Sequence, residues 1–392
     1  MLCAETPIFR IATGVPDPLV CFEQDYQGSR RDTSGQSYKR YKESLVTKRT
    51  ICLVSRVWNL VATPQLYERL VIASAEGDHS PRRRQIRRLI RALGSPSPQS
   101  SSPESSLGTF VRRLDFTFPE GRDGTEFSRQ KITRVIVELV GMMPNLQTTS
   151  TLPDFKVPIL HFQAFLDGHP SLDTVQIVYD FEDPKPGQES ASLWKGKAYP
   201  SIRHWVLRLY QVNALAVVPT TVFPKLEMVT YPYYPHASDH LARFTNFVSI
   251  HGSRLKTIRM SPHKQLKDML EVVARWCPRL TEVHLVYKRR WVTPSTIAMA
   301  SVVVSMPRIT TLGLSLYNYD EKKHSADWER AIMLKWKDLF PSLHTIRLLE
   351  EKDVELLRQL GEEKLGQIVG HCCDSGVSLQ DDHCSLFTID GR

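Results

Sequence analysis

The chain has 392 residues, of which 41% are apolar and 24% charged, which excludes a disordered chain and leaves room for two or three domains or one long repeat array. No apolar run approaches the roughly 18 residues that a membrane span needs, the start MLCAETPIFR lacks the basic and apolar stretches of a secretory signal, and no Asn-x-Ser/Thr sequon occurs. Seven cysteines, an odd number, do not read as a disulfide framework, so the expected class is a soluble intracellular protein, mildly basic with 51 Lys/Arg against 42 Asp/Glu.

Residues 1–40 show no clear periodicity and include the polar run Gln24 to Lys39, so they are expected to be poorly structured. A helical segment is expected over 41–76. There Leu53, Val57, Leu60 and Val61 fall on one helical face with Trp58 beside it. Pro64 is expected to break that helix, and Leu66, Tyr67 and Leu70 to follow in a short second segment. Residues 77–106 hold an arginine-rich helix and a loop. Arg82, Arg83, Arg84, Arg87, Arg88 and Arg91 are interleaved with the stripe Ile86, Leu89, Ile90 and Leu93, which predicts an amphipathic helix with a basic solvent face. The tract SPSPQSSSPESS at 95–106 cannot bury apolar area and is expected to be disordered, and DPKPGQE at 183–189 reads as a surface loop.

From about residue 107 to 350 one pattern recurs: an apolar residue, Pro, any residue, Leu or Ile, then x-x-apolar-x-apolar. His169-Pro170-Ser171-Leu172 leads to Val175 and Ile177, and Cys277-Pro278-Arg279-Leu280 leads to Val283 and Leu285. Other copies centre on Pro144, Pro200, Pro224, Pro307 and Pro341; two lack the proline, at Val111-Leu114-Phe116 and Leu255-Ile258-Met260. With 253 standing for the missing proline, the spacings from 144 to 341 are 26, 30, 24, 29, 25, 29 and 34. The alternating part predicts a short strand with one buried face. Helical stripes precede several copies: Ile132 to Met143, Leu266 to Trp276, and Trp328, Ile332, Trp336 and Leu339. A helix–strand unit of this length cannot bury its faces alone, and stacking units places parallel strands on one side and helices on the other.

This arrangement resembles the leucine-rich-repeat family in its irregular, helix-containing form. The Asn that follows the strand in the standard repeat is missing, and Gln147, Thr148 and Thr149 are polar where apolar residues are expected, so that copy is expected to be distorted. The resemblance implies a concave strand wall on which alternate residues face outward. The candidates for partner binding there are Arg113, Asp115, Gln176, His204, Arg208, Thr230, Arg259, Glu282, His284 and Arg347. The same positions also fit plain solvated strand residues.

The segment ICLVSRVWNLVATPQLYERLVI at 51–72 resembles the second half of an F-box through Leu53, Val54, Ser55, Val57, Trp58, Leu60, Pro64, Leu66 and Tyr67. An F-box followed by leucine-rich repeats is a known arrangement, similar to many fungal proteins. The opening Leu-Pro-x-Glu-apolar half has only Val15-Pro16-Asp17-Pro18-Leu19 as its nearest match, without the Glu. The fold class so implied is α/β, a helical F-box-like segment followed by an irregular leucine-rich-repeat solenoid. The function implied is substrate recognition for a cullin-RING ubiquitin ligase, in the cytoplasm or nucleus, with the ligase's adaptor subunit and a protein target as partners. Leu53, Val54, Val57, Trp58, Pro64, Leu66 and Tyr67 fit either adaptor docking or packing of the module. The alternatives are a repeat scaffold without a ligase link, in which the segment is an end cap, and a nucleic-acid binder through the arginine helix.

Residues 351–392 carry 4 Lys/Arg against 9 Asp/Glu and are expected to form an acidic cap and a loosely ordered tail. His371, Cys372, Cys373, His383 and Cys384 are metal ligands by type, but their spacing matches no recognised set, and no metal is expected. No Walker A loop, G-x-G-x-x-G, G-x-S-x-G or H-E-x-x-H occurs, so neither an enzyme nor a cofactor is expected.

Overall fold

The computed structural model describes residues 33–73, 80–94, 106–117, 138–150, 156–157, 159–176, 180–181, 194–206, 218–231, 240–260, 266–286, 305–315, 331–349 and 351–387. The chain divides into two compact units, one formed mainly by Leu19–Arg203 with Thr221–Pro224, the other mainly by His204–Thr220 with Lys225–Arg392.

The first unit opens with helix α1 (Thr33–Val54), which starts inside the stretch expected to be poorly structured. Its sequence is polar on nearly every side, so no apolar stripe announced it. Ser55 then interrupts the helix: its backbone is extended (φ −160°, ψ 166°), and its Oγ accepts from the Trp58 N–H at 3.2 Å as the N-cap of α2 (Arg56–Tyr67). Leu53 and Val57 therefore sit on different helices, not on one helical face. Pro64 lies within α2 instead of ending it. It removes one backbone donor, and the preceding Thr63 hydroxyl donates to the Asn59 carbonyl at 2.7 Å.

Leu70 belongs to strand β1 (Arg69–Ala73), not to a second helical segment. Helix α3 (Ser80–Leu93) leads to β2 (Arg113–Thr117), which pairs in parallel with β1, Leu70 opposite Leu114. As expected, Ile86, Ile90 and Leu93 are buried, while Arg87, Arg88 and Arg91 are exposed. Helical residues 138–141 precede β3 (Thr148–Ser150), and α4 (Ile159–Gly168) precedes β5 (Thr174–Gln176). Strands β2, β3 and β5 continue the parallel ladder. The copy expected to be distorted thus keeps its register; its cost is the fully buried Thr149 hydroxyl, without a hydrogen-bond partner among the described residues. The short strands β4 (Lys156–Val157) and β6 (Asp180–Phe181) form a separate parallel pair. Trp194, Tyr199 and Phe223 pack together, with Trp194 and Phe223 edge to face at 5.8 Å.

The second unit runs β7 (His204–Val206), β8 (Met228–Tyr231), α5 (His240–His251), β9 (Thr257–Met260), α6 (Leu266–Trp276), β10 (Glu282–Val286), β11 (Thr311–Ser315), α7 (Trp336–Leu339), β12 (Thr345–Leu348), α8 (Glu351–Arg358), α9 (Glu362–Asp374) and β13 (Ser378–Gln380). Strands β7 to β13 pair in parallel in chain order. The alternating apolar positions are buried as expected: Val229, Ile258, Val283, Leu312, Ile346 and, two residues on, Met260, Leu285, Leu314 and Leu348. Helix α6 buries Leu266, Met269, Leu270 and Val273, but Trp276, assigned to the same stripe, is exposed at the helix end. The stripe expected over Trp328–Leu339 is broken: 331–332 are helical and the helix resumes at α7, yet Ile332, Trp336 and Leu339 stay buried.

Over 351–387 the acidic segment is not loosely ordered. Helices α8 and α9 and strand β13 form a further copy of the repeat. Here Asp374 stands at the proline position and Gly376, at φ 63°, at that of the turn leucine, so the proline pattern did not mark this copy.

One local device builds most copies. In apolar-Pro-x-Leu, the apolar residue's carbonyl accepts from the Leu or Ile N–H three positions on: Met143 from Leu146 (3.1 Å), Cys277 from Leu280 (3.2 Å), Phe340 from Leu343 (2.9 Å). Proline presets φ for such a turn. The next two N–H groups then converge on one carbonyl of the preceding copy: Thr281 and Glu282 on Lys256, Thr310 and Thr311 on Thr281, His344 and Thr345 on Thr310. Gly252 holds the turn where the proline is missing, its carbonyl accepting from Leu255, and a Cβ on it would lie 2.7 Å from the Trp276 carbonyl oxygen. Gly252→Ala is therefore expected to destabilise the second unit by about 1–3 kcal/mol. Gly370→Ala, inside α9 with nothing within 4 Å of the added carbon, should stabilise it by about 0.5–1 kcal/mol. Denaturant unfolding of the two variants checks the opposite signs.

Candidate functional site

Two surfaces collect the residues singled out in the sequence. The first is the α1–α2 hairpin. Leu53, Val54, Val57 and Trp58 are exposed (78%, 67%, 70% and 48%), and Val46, Leu60 and Val61 stand open with them. Among the described residues, seven of the nine exposed large apolar side chains lie on this hairpin. The opposite face packs: Ala62 and Thr63 are buried, and Pro64, Leu66 and Tyr67 are half-buried. The helices are tied by Asn59 Nδ2 donating to the Cys52 carbonyl at 3.2 Å and by Lys48 Nζ donating to the Gln65 carbonyl at 3.0 Å. The seven residues that fitted either docking or packing thus divide by exposure. Pro64, Leu66 and Tyr67 lie on the packed side; Leu53, Val54, Val57 and Trp58 are held where a partner can reach them. Seven large apolar side chains exposed on one helical hairpin are more than the scattered single ones normal on a protein surface.

The second surface is the strand wall of the second unit. Register sets two lines of side chains on one face. One holds His204, Met228, Thr257, Glu282, Thr311, Thr345 and Ser378; the other holds Thr230, Arg259, His284, Gly313, Arg347 and Gln380. The first line is half-buried throughout. The expectation that alternate residues simply stand outward fails on the second line, where Thr230, Arg259 and His284 are buried and only Arg347 and Gln380 are half-open. Strands lie about 4.8 Å apart, so long side chains on neighbouring strands cover one another. The His284 ring occupies the space above Gly313, where a Cβ would meet its Cδ2 at 2.5 Å.

The buried polar groups are connected. A ring nitrogen of His204 bonds the Thr230 hydroxyl at 3.0 Å, and His284 Nε2 lies 3.3 Å from Glu282 Oε2. Neither ring nitrogen of His284 has an aligned hydrogen-bond partner among the described residues. Burial, reinforced by the charge of Arg259, pushes His204 down to about 3, and burial likewise depresses His284 despite Glu282 beside it. Both rings are neutral at pH 7. The His284 ring beside it is the main cause that holds the Glu282 carboxyl below its usual range.

In the first unit, Arg113 and Asp115 are not open to a partner either. Asp115 is fully buried and accepts from Arg69 Nε at 2.7 Å and Arg113 Nε at 2.9 Å. Burial alone would raise its pKa, but the two guanidiniums outweigh burial and lower it. These residues are consumed by an internal ion triad. The Gln176 side chain and Arg208 lie outside the described residues.

Cys372 is buried, which pushes its thiol up to about 11, while Cys373 and Cys384 are exposed. Among the described residues, no group of three His, Cys, Asp or Glu side chains is placed to hold a metal ion. Nor is any helix among them long and apolar enough to cross a membrane.

No family model and no curated protein matches the chain. Among solved structures, a leucine-rich-repeat-containing protein, LegL7 of Legionella pneumophila, is similar at 11% identity and a TM-score of 0.36, covering 82% of this chain and 92% of that one. A protein of Bacteroides fragilis is similar at 11% identity and a TM-score of 0.42, covering 84% and 82%. The leucine-rich-repeat-like character of this chain rests on its own ladder register and repeated turn.

The neutral histidines, His204 half-buried and His284 buried, make stability depend on pH. Their folded pKa values lie below the ordinary 6.5, so the unfolded chain binds more protons between the folded values and 6.5. Their contribution is complete above about pH 6.5 and declines as pH falls below it, by up to about 1.4 kcal/mol per pH unit for each ring. Unfolding midpoints at pH 7.5 and 5.5 should show this loss, and a folded His204→Asn, His284→Gln variant should show a smaller one.

Proposed function

We propose that this chain is a non-catalytic interaction protein. Its α1–α2 hairpin docks on the adaptor subunit of a cullin-RING ubiquitin ligase, and its repeat wall holds a protein target. The observation that carries this reading is the exposure of Leu53, Val54, Val57 and Trp58 on a hairpin whose other face is packed. These are the residues through which the sequence resembles an F-box. An end cap for the repeats needs its apolar residues turned inward, whereas four of these stand in solvent. Bond-making chemistry then belongs to the partner complex, and this chain supplies proximity. Such a role places it in the cytoplasm or nucleus. The nearest match to the opening F-box half, 15–19, lies outside the described residues, so docking is argued from the second half alone.

The test is co-purification of the full chain with the adaptor, beside a Val57→Asp, Trp58→Asp variant. Both side chains are exposed, so the variant should keep its circular dichroism and unfolding midpoint while its adaptor affinity falls at least tenfold. A folded wild-type chain that does not bind the adaptor would replace this reading with that of a repeat scaffold lacking a ligase link.

A further inference from the structure

The exposed apex of the hairpin is tethered to an apolar segment of its own chain. Helix α1 begins at Thr33, and residues 1–32, which lie outside the described residues, lead into it. They carry three large apolar side chains in four positions, Ile8, Phe9 and Ile11. At the far end of α1, Leu53, Val54, Val57 and Trp58 stand exposed on either side of the Ser55 break. With 22 residues, α1 is about 33 Å long. The 21 residues between Ile11 and Thr33 reach at most about 70 Å, roughly twice that length, so the stretch PIFRI at 7–11 can lie on the apex. Leu19 to Phe22 have no such reserve, because the ten residues from 23 to 32 span at most about 35 Å when fully extended.

Charge decides between this segment and a second copy of the hairpin as the cover. Over 43–67 the hairpin carries Lys48, Arg49 and Arg56 against Glu43, and Arg49 and Arg56 are exposed. Two such hairpins laid together would bring like charges to one apolar contact, which opposes their pairing. Residues 1–25 have the opposite balance, Glu5, Asp17, Glu23 and Asp25 against Arg10. Tethering favours the segment further. A tether of this length gives it an effective concentration on the order of 1 mM at the apex, so a contact too weak to form between separate molecules is populated within one chain. Phe9 supplies an aromatic ring for a surface that itself exposes Trp58.

We propose that residues 7–11 fold back over the apex of the α1–α2 hairpin and cover Val57 and Trp58 with Ile8, Phe9 and Ile11, so that the chain partly closes its own docking surface. The covering rests on the exposure and charge of the hairpin; its effect on docking rests on the reading of that surface as the adaptor's. A partner binds only the uncovered fraction, and its apparent affinity falls by that fraction. The segment is a built-in competitor that a partner has to displace.

Hydroxyl-radical footprinting of the full chain, read by mass spectrometry, tests this against an Ile8→Ser, Phe9→Ser, Ile11→Ser variant. The variant removes apolar area, adds no charge and alters no described element; circular dichroism checks that it is folded. Trp58 is expected to be oxidised at least threefold more slowly in wild type than in the variant, while Trp276, exposed at the end of α6, reacts equally in both. The variant should also bind the adaptor at least threefold more tightly. Equal oxidation of Trp58 in the two folded chains, or a protection of Trp58 that disappears on dilution as a second copy's would, overturns the proposal. Adaptor binding beside equal Trp58 oxidation overturns it and leaves the ligase reading standing. Slow Trp58 oxidation in wild type alone, with no adaptor binding by either chain, upholds the covering and removes the ligase reading.

Discussion

Most copies of the repeat are launched by two N–H groups meeting on one carbonyl of the copy before. Lys256 receives Thr281 and Glu282; Thr281 receives Thr310 and Thr311; Thr310 receives His344 and Thr345. That convergence fixes where each strand begins, and a one-residue slip would turn Val283 or Leu312 outward and bring a polar neighbour into the core. The apolar-Pro-x-Leu turn makes it possible, because the Leu N–H is spent closing the turn and only the following two N–H groups remain to reach across. The leucine itself is then buried, as Leu146, Leu280 and Leu343 are. One short motif thus sets backbone register and supplies a core side chain, which is why it persists while the lengths between copies vary from 24 to 34 residues.

Fixed register has a consequence on the other face of the strands. Side chains at one position line up across the ladder at the strand spacing, too close for several long polar residues to stay separately solvated. They cover one another instead, and what is covered has to be paired or neutral. Asp115 is paired, held by Arg69 and Arg113. His204 and His284 are neutral. Gly313 belongs to the same logic, since the lack of a side chain there leaves room for the His284 ring. A strand wall of this kind is open mainly along its first line and at Arg347 and Gln380, and its polar residues are structural parts before they are contacts.

The repeat was legible in the sequence because its signal is a fixed spacing of apolar residues after a proline, and those residues face the core by necessity. Strand β1 was not, because Leu70 follows Tyr67-Glu68-Arg69 without that proline turn and continues what reads as a helical stripe. The last copy was hidden for a related reason: Asp374 and a positive-φ Gly376 stand where other copies have proline and leucine, and its acidic composition suggested a solvated tail. Helix α1 is too evenly polar for periodicity to reveal. For the wall, alternation told which residues share a face but not whether that face is open. Openness depends on what the neighbouring strands contribute at the same position, and that is a property of register between copies some 30 residues apart.

The hairpin reverses the usual relation between apolarity and burial, and the reversal follows from Ser55. A continuous helix from Thr33 to Tyr67 would have placed Leu53, Val57, Leu60 and Val61 on one stripe, free to pack as a unit. The Ser55 cap breaks the stripe and starts α2 in a new direction. Ala62 and Thr63 turn inward, and the larger residues are left outside. Small side chains on the packed face permit close approach of the helix, and large ones on the open face provide area for another protein to cover. At about 25 cal/mol for each Å² removed from water, covering these exposed residues, Trp58 among them, would be favourable. On the strand wall, by contrast, the polar groups are mostly engaged with one another.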